Sequence, residues 1–428
     1  MAAVYPFLEQ LHPLEVPLSL YIHIPFCSRK CGYCDFYSRP GIPAEQRLPV
    51  IRRIAKEVGG FCDALDPPSI ASVFIGGGTP NSLSPEELEL LFSSLEDQLA
   101  ARGRGGDRRE IGRSGKGCLG GTAGGDFEWT VEVNPELLTF EQLELMDRYG
   151  VNRVSMGIQS FAPDALELLG RSAGADAVYR ALELLAGAWT GEVNLDMMTA
   201  LPGRSTEEEG ADIRTALSFE PDHLSVYALT VEEGTALAAA REAGRLEPVP
   251  EETAVSALSE TVRSCTQAGY RHYEVSNFAR PGRESLHNLR YWRMEPYLGV
   301  GPAAVSTVPV RGGVLRATGR RQQEGYETDY IGAEDFLLEH LMMGLRTAEG
   351  VSFSRLARIF GLNPARLVPR SLEHWRDAGL LFFDRSRLYP SEAGMLMLDH
   401  ILVDMSMELD EHREALQSAE LNWPLPPE

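Results

Sequence analysis

The sequence predicts an α/β fold: six parallel strands joined by helices, followed by a smaller, mostly helical domain of winged-helix outline. Three observations carry this. Short β-branched apolar runs recur along the first half of the chain, longer helix-like segments lie between them, and past about residue 330 the pattern turns to helices and a short hairpin. Strand–helix alternation means parallel strands with right-handed crossovers. Six such units suit an incomplete (β/α) barrel or a doubly wound sheet, and the pattern alone does not separate the two.

An N-terminal extension, 1–17, precedes the first strand. Strands are expected at 18–24, 71–76, 128–133, 152–158, 192–198 and 222–228, with helices near 45–60, 85–101, 139–149, 163–187 and 206–219. Ser84-Pro85-Glu86-Glu87 reads as an N-cap, a proline at the first helical position and acids in the first turn. Residues 102–126 are rich in Gly and Arg and poor in large apolar side chains. Such a segment cannot bury enough surface to offset its ordering entropy and is expected to be a flexible insertion. The main domain is expected over 18–285, a connecting segment over 286–330 and the C-terminal domain over 331–428. Within the last, helices are expected at 334–345, 353–360 and 364–378, strands at 380–383 and 387–389, and a final helix at 392–405.

The chain has 428 residues, is 43% hydrophobic and carries a formal net charge of −22. A field of that sign repels nucleic acid at long range. The expected recognition helix of the winged-helix outline carries only Arg366, Arg370 and Arg376, so a structural or substrate-covering role is expected and no nucleic-acid partner. No stretch is long and apolar enough to span a bilayer, and the N-terminus lacks a signal-peptide pattern. A cytoplasmic location is the default expectation, with peripheral contact to a membrane-bound partner left open.

Of six cysteines, Cys27, Cys31 and Cys34 fall within eight residues, directly after the first strand; Cys62, Cys118 and Cys265 are scattered and read as small apolar residues. In a parallel α/β fold the loop after a strand lies on the catalytic face. Three thiolates there can hold three irons of a cubane cluster and leave the fourth open to a small chelating ligand. Structural zinc is the competitor. It wants four ligands, usually in paired spacing, and no second pair exists here; His23 is the one nearby candidate for a fourth. Gly299-Val-Gly301-Pro-Ala-Ala304 resembles a dinucleotide fingerprint, but Pro302 stands where a helix should begin, and no nicotinamide site is expected.

The motif CxxxCxxC resembles that of the radical S-adenosylmethionine (SAM) superfamily. The stretches HIPFC at 23–27, GGGTP at 76–80, EVNP at 132–135, GIQSF at 157–161, LGR at 169–171, LDMMTALPG at 195–203, YEVSNFARPG at 273–282 and HNLRYW at 287–292 narrow the resemblance. They point to the oxygen-independent coproporphyrinogen III oxidase-like family, and within it to the heme-chaperone (HemW) branch. The resemblance implies a partial (β/α)6 barrel, a [4Fe–4S] cluster on Cys27, Cys31 and Cys34, and SAM chelated to the open iron, where one electron can cleave its sulfonium to a 5′-deoxyadenosyl radical. It places Tyr21 and Tyr33 near the cluster and the adenosyl moiety. Gly77, Gly78 and Thr79 would offer backbone to the methionyl amine, Glu132 and Gln159 would hydrogen-bond and place SAM, and Arg171 would face its carboxylate. Asp196 would hold the ribose hydroxyls and Ala228 would line the adenine site.

Two functions of different class follow from the resemblance: a carrier that binds heme and passes it to acceptor proteins, or a radical SAM enzyme acting on a tetrapyrrole, the coproporphyrinogen III oxidase. The oxidases carry a further cysteine where this chain has Phe36, and a longer extension than the 20 residues before Tyr21. HNLRYW fits the branch's heme signature, with His287 as an axial ligand and Tyr291 and Trp292 as flat apolar surface; by itself His287 reads as a hydrogen-bonded loop histidine. Ala173 and Val305 stand where the branch usually has histidines. The carrier is the expected function. Anaerobic reconstitution should give about four irons and four sulfides per chain, and replacing Cys27, Cys31 and Cys34 together by Ala should abolish them; stoichiometric zinc without sulfide would refute the cluster.

Overall fold

A computed structural model describes residues 5–102, 127–311, 313–417, 419 and 421–426. The Gly/Arg-rich stretch expected as an insertion lies, from 103 on, outside the described residues. The first strand, β1 (Leu18–Ile24), sets the rule for the sheet. Leu18, Leu20, Ile22 and Ile24 are fully buried on one face, where the helix α1 (Ala44–Leu65) lays Ile51, Ile54, Val58 and Phe61 against them. Ser19, Tyr21 and His23 fall on the other face, because successive strand side chains alternate.

Five more parallel strands follow: β2 (Ile70–Gly77), β3 (Glu128–Val133), β4 (Arg153–Gln159), β5 (Glu192–Thr199) and β6 (His223–Ala228). They pair in that order. Each of the six expected strands is present to within a residue or so. The helices between them cover the apolar face. The inner face is polar: Ser72, Glu128, Thr130, Glu132, Ser155, Asn194, Asp196, His223 and Ser225 line the lumen, most of them hydrogen-bonded to one another.

Six further strands extend the sheet: β7 (Arg271–Glu274), β8 (Asn277–Ala279), β9 (Tyr297–Val300), β10 (Val305–Val310), β11 (Gly313–Gly319) and β12 (Tyr326–Ile331). β9 runs parallel to β1 on its free side; the others are antiparallel additions, and β7 and β12 stand at opposite ends of one open twelve-stranded sheet. The barrel is therefore partial. The 286–330 stretch, expected to connect two domains, thus builds sheet as well. Of its strands, β9, β10 and β11 are mostly buried; in β12 four of the six residues face solvent, so no apolar run marks it. Gly299 lies in β9 where a side chain would strike the Val305 backbone, a strand crossing with no helix after it.

Three expected helices are divided. The 163–187 segment is α2 (Pro163–Leu168) and α3 (Ala175–Ala188), separated where Gly170 takes a φ of +65°. The 364–378 segment is a single turn followed by a helix that restarts at Pro369, Pro369–Asp377, a proline being best tolerated in a first turn. The final helix breaks at Met397 into Glu392–Leu396 and Leu398–Leu409. With Ala333–Gly344, Phe353–Phe360 and the small antiparallel sheet of Val351–Ser352, Arg387–Pro390 and Leu381–Phe383, these give the winged-helix-like outline around a second core that includes Phe336, Ile359, Phe360 and Met405. Arg370 is paired with Glu408 and Glu411, and Arg376 with Asp377. No helix among the described residues is long and apolar enough to cross a membrane.

A short helix, Leu286–Trp292, closes the end of the sheet where the strands begin. Glu128, at the start of β3, accepts from Ser285 Oγ at 3.1 Å, Leu286 N at 2.8 Å and His287 N at 3.2 Å, and faces Arg153 at 3.4 Å. A carboxylate at a helix N-terminus satisfies donors that the helix itself cannot. Arg290 donates to Ser19 Oγ (2.5 Å) and to Pro17 O (2.6 Å) and is ion-paired with Glu295. Removing the Glu128 carboxylate leaves those buried donors unpaired. Glu128→Ala should lower unfolding stability by about 2–4 kcal/mol in denaturant titrations, and Glu128→Gln by less. A loss below about 1 kcal/mol would show that the floor helix does not depend on this cap.

Candidate functional site

The opposite end of the sheet, where the six parallel strands finish, gathers most of the residues expected at the site. The loop leaving β1 is bound to the glycine turn leaving β2. Gly78 N donates to Ile24 O at 2.8 Å, Thr79 N to Phe26 O at 2.7 Å, and Thr79 Oγ1 to Cys27 Sγ at 3.4 Å. A side chain on Gly78 would sit 2.5 Å from Phe26 O, one on Gly76 would sit 2.7 Å from the Glu132 carboxylate, and one on Gly77, whose φ is +104°, would strike the ring of His23. Only glycine permits this approach. The far side of the loop hangs on Gly32, which donates to Leu169 O and accepts from Leu237 N, each at 2.9 Å.

Cys27, Cys31 and Cys34 are all half-buried on this loop. Burial pushes the Cys27 and Cys34 thiols up, while hydrogen bonds from Thr79 and Ser38 to Cys27 and from the Phe36 backbone to Cys34 pull them part of the way back. Among the described residues no three His, Cys, Asp or Glu side chains converge on a point that could hold one metal ion. His23, the candidate for a fourth zinc ligand, has both nitrogens engaged: Nε2 with Tyr37 O at 2.9 Å and Nδ1 with Tyr21 OH at 3.0 Å. A carbonyl can only accept, so Nε2 carries the hydrogen and Nδ1 accepts from Tyr21. The imidazole ties β1 to the cysteine loop and is not offered to a metal.

Glu132 and Asp196 face the lumen from β3 and β5. Glu132 accepts from Gly77 N at 3.0 Å, and burial, reinforced by Asp196, raises its carboxyl to about 8. Burial also raises Asp196, while Ser155 Oγ and Asn194 Nδ2 donate to it at 3.0 and 2.8 Å. Arg171 sits in the break between α2 and α3. It donates to Gly157 O at 2.5 Å and Asn134 Oδ1 at 3.3 Å and reaches Cys31 Sγ at 3.6 Å. Gln159, buried at the end of β4, holds a φ of +70°, a strained conformation for a residue with a side chain and one that concentrates at functional sites. Tyr33 packs beside the small cluster of Ala165, Leu169, Met198 and Leu201. Ala228 ends β6 beside Thr199 and is exposed.

Tyr21, Tyr33, Gly77, Gly78, Thr79, Glu132, Gln159, Arg171, Asp196 and Ala228 thus share one end of the sheet with the three cysteines. The sequence reading missed Asn134, which donates to Thr79 Oγ1 at 3.3 Å and links the glycine turn to Arg171, although it lies inside the quoted EVNP stretch. It also missed Tyr227, 44% exposed beside Asp196, Glu274 and Glu132. Phe36 stands 66% exposed on the cysteine loop.

The heme candidates lie at the other end, on the floor helix, and do not share a surface. His287 is 1% exposed; its Nδ1 is 2.8 Å from Ser72 Oγ, and its ring lies against Phe74 and Tyr291 inside the floor. Burial lowers its pKa to about 3. Tyr291 packs edge-on to Tyr297. Trp292 points the other way, into a cavity of about 150 Å³ shared with the C-terminal domain. Ala173 is buried near Arg171 in sequence, and Val305 pairs with Thr318 in the sheet extension.

The profile of the radical SAM superfamily matches residues 21–215, and that of the HemN C-terminal domain matches 331–397. The heme chaperone HemW of Bacillus subtilis is 33% identical over 391 residues, covering 89% of this chain and 96% of that one. That of Escherichia coli is 34% identical, covering 72% and 75%. A mouse mitochondrial protein, radical S-adenosyl methionine domain-containing protein 1, is 31% identical over 92% of this chain and 88% of its own. Among solved structures, the Escherichia coli coproporphyrinogen III oxidase HemN, a radical SAM enzyme, superposes with a TM-score of 0.72 over 95% of this chain and 93% of that one, at 20% identity, which shows a common fold. With a shared fold, a three-cysteine loop on a glycine turn, and relatives at one-third identity along nearly the whole length, the chain belongs to the HemW family of the radical SAM superfamily.

Proposed function

We propose that this protein is a HemW-type heme chaperone that carries a [4Fe–4S] cluster on Cys27, Cys31 and Cys34, binds SAM beside it, and passes heme to acceptor proteins. The carrying observation is the convergence of the cysteine loop, the Gly77–Thr79 backbone and Glu132 at one end of the sheet. Three thiols spread along a loop rather than gathered on a point suit a cubane, in which each thiolate binds a different iron. Arg171, 3.6 Å from Cys31 Sγ, offsets thiolate charge and lies where it would meet the SAM carboxylate. The missing side chain at Gly76 leaves the Glu132 carboxylate room to take the methionyl amine, and Gln159 would help place it. Asp196 would take the ribose hydroxyls, with Tyr21, Tyr33 and Ala228 about the adenosyl group. When bound and reduced, the cluster would be able to supply one electron to the SAM sulfonium.

Glu132 supplies a pH signature. With its carboxyl at about 8, it is protonated in the empty site at neutral pH, whereas an ammonium ligand requires the carboxylate. Binding then expels a proton. SAM affinity should rise between pH 5.5 and 7.5, by up to about tenfold per unit, and Glu132→Gln should flatten the profile. A flat profile in the parent protein would refute this role.

Phe36, where the oxidases carry a cysteine, supports carriage over coproporphyrinogen oxidation. With reductant, SAM and coproporphyrinogen III, the anaerobically reconstituted protein should form no protoporphyrinogen beyond a trace, yet bind hemin and transfer it to an apo-protein monitored by its Soret band. Many turnovers to protoporphyrinogen would establish the enzyme instead.

A further inference from the structure

We propose that the outer face of the cysteine loop is the docking surface for an acidic one-electron carrier protein, which reduces the cluster there. The inference rests on the cluster reading above and specifies where its electron enters. The loop is held from within: Gly78 and Thr79 donate to Ile24 O and Phe26 O on one side, and Gly32 is tied to Leu169 and Leu237 on the other. What it turns outward is basic and apolar. Arg29, Lys30 and Phe36 are exposed, and Arg39 is half-buried. Arg321, on the turn between β11 and β12, brings a further cation to the same face, its guanidinium 6.0 Å from the centre of the Tyr37 ring. Arg29, Lys30, Arg39 and Arg321 have no ion-pair partner among the described residues. Arginines elsewhere on the surface are paired, as Arg263 is with Glu260, Arg293 with Glu349 and Arg370 with Glu411.

Charge identifies the partner. Residues 28–39 hold Arg29, Lys30 and Arg39 against Asp35 alone, on a chain of net charge −22. Glu324, on the same turn as Arg321, lies near Glu57 and Tyr5. Beyond Gly32 acids resume, at Glu167, Glu232 and Glu233, so the positive face is small. An acidic protein is repelled by most of this molecule and attracted here, and complementary patches of this kind fix the register of an encounter. The exposed Phe36 ring supplies the apolar centre that a docking face needs inside a charged rim. All three thiols are half-buried, so a cluster on them lies directly beneath this face. The step itself moves one electron: the carrier is oxidised by one, the cluster is reduced by one, and no bond forms or breaks. The chain's dinucleotide-like stretch offers no internal source, because it runs from β9 through a turn into β10 with no helix to receive a phosphate.

The test uses the full-length protein with flavodoxin, an acidic flavoprotein that carries single electrons, as the probe. Binding of oxidised flavodoxin is titrated by its flavin fluorescence. Reduction of the reconstituted cluster, at matched content, is followed by absorbance with reduced flavodoxin, and photoreduced deazariboflavin, small and uncharged, is the control. Replacing Arg29→Glu and Lys30→Glu together should weaken binding about tenfold at low ionic strength and slow reduction by flavodoxin alike. The loss should fade toward 1 M salt, where the Debye length is about 3 Å. Phe36→Ala should weaken binding at every salt concentration. Arg321→Glu, outside the cysteine loop, should act in the same direction as the double variant, and Arg385→Glu, exposed in the C-terminal domain, should not. Deazariboflavin should reduce all of them at the parent rate. Parent-like binding in both the double variant and Arg321→Glu, or an equal loss in Arg385→Glu, overturns the docking surface and leaves the cluster reading intact. A lower sedimentation coefficient for Phe36→Ala with unchanged flavodoxin binding assigns the face to contact between copies of the chain and also overturns it. Failure to reconstitute a cluster overturns the cluster reading, whereas the binding titration needs no cluster and decides the docking surface by itself.

Discussion

Gly78 and Thr79 donate to the carbonyls of Ile24 and Phe26, and the mouth of the barrel depends on that approach. It joins the ends of β1 and β2 at backbone distance, so the cysteine loop is set by main chain rather than by flexible side chains. Any Cβ at Gly76, Gly77 or Gly78 would collide with Glu132, His23 or the loop itself. The residues that crowd this junction are the ones proposed to hold the cofactor. His23 adds a second tie, from the floor of the glycine turn to Tyr37 at the far end of the loop.

Beside this junction the polar lumen holds two buried acids. Burying Glu132 and Asp196 near each other is unfavourable for both as carboxylates, and both are pushed up. Such a pair is tolerated where a cation is to be received. Serines and Asn194 support Asp196, while Glu132 has a backbone donor from the glycine turn, so the two acids are held apart in role by their neighbours. Ligand binding would relieve the repulsion.

The floor helix works in the opposite sense. Glu128 and Arg290 spend their charges on closing the base of the barrel, and they enclose His287 in doing so. The same seven-residue helix ends in Trp292, which faces the C-terminal domain. One short motif therefore serves two surfaces: its first turn seals the lumen, and its last residue borders a cavity shared with the C-terminal domain.

The six parallel strands, the three-cysteine loop, the glycine turn and the winged-helix outline were legible in the sequence, because each depends on local period or spacing: alternation in strands, a fixed interval between thiols, glycine where backbones must touch. The solvent-facing strand Tyr326–Ile331 carried no apolar run, and the break that places Arg171 depended on one glycine inside an otherwise helical pattern. Other features were set by contacts between distant residues. Ser285 meets Glu128 across 157 positions, and that contact, not the motif HNLRYW, determines that His287 faces inward. Local spacing fixes which atoms a segment can present, whereas which of them meet a partner, a solvent-filled space or nothing is decided when the domains pack.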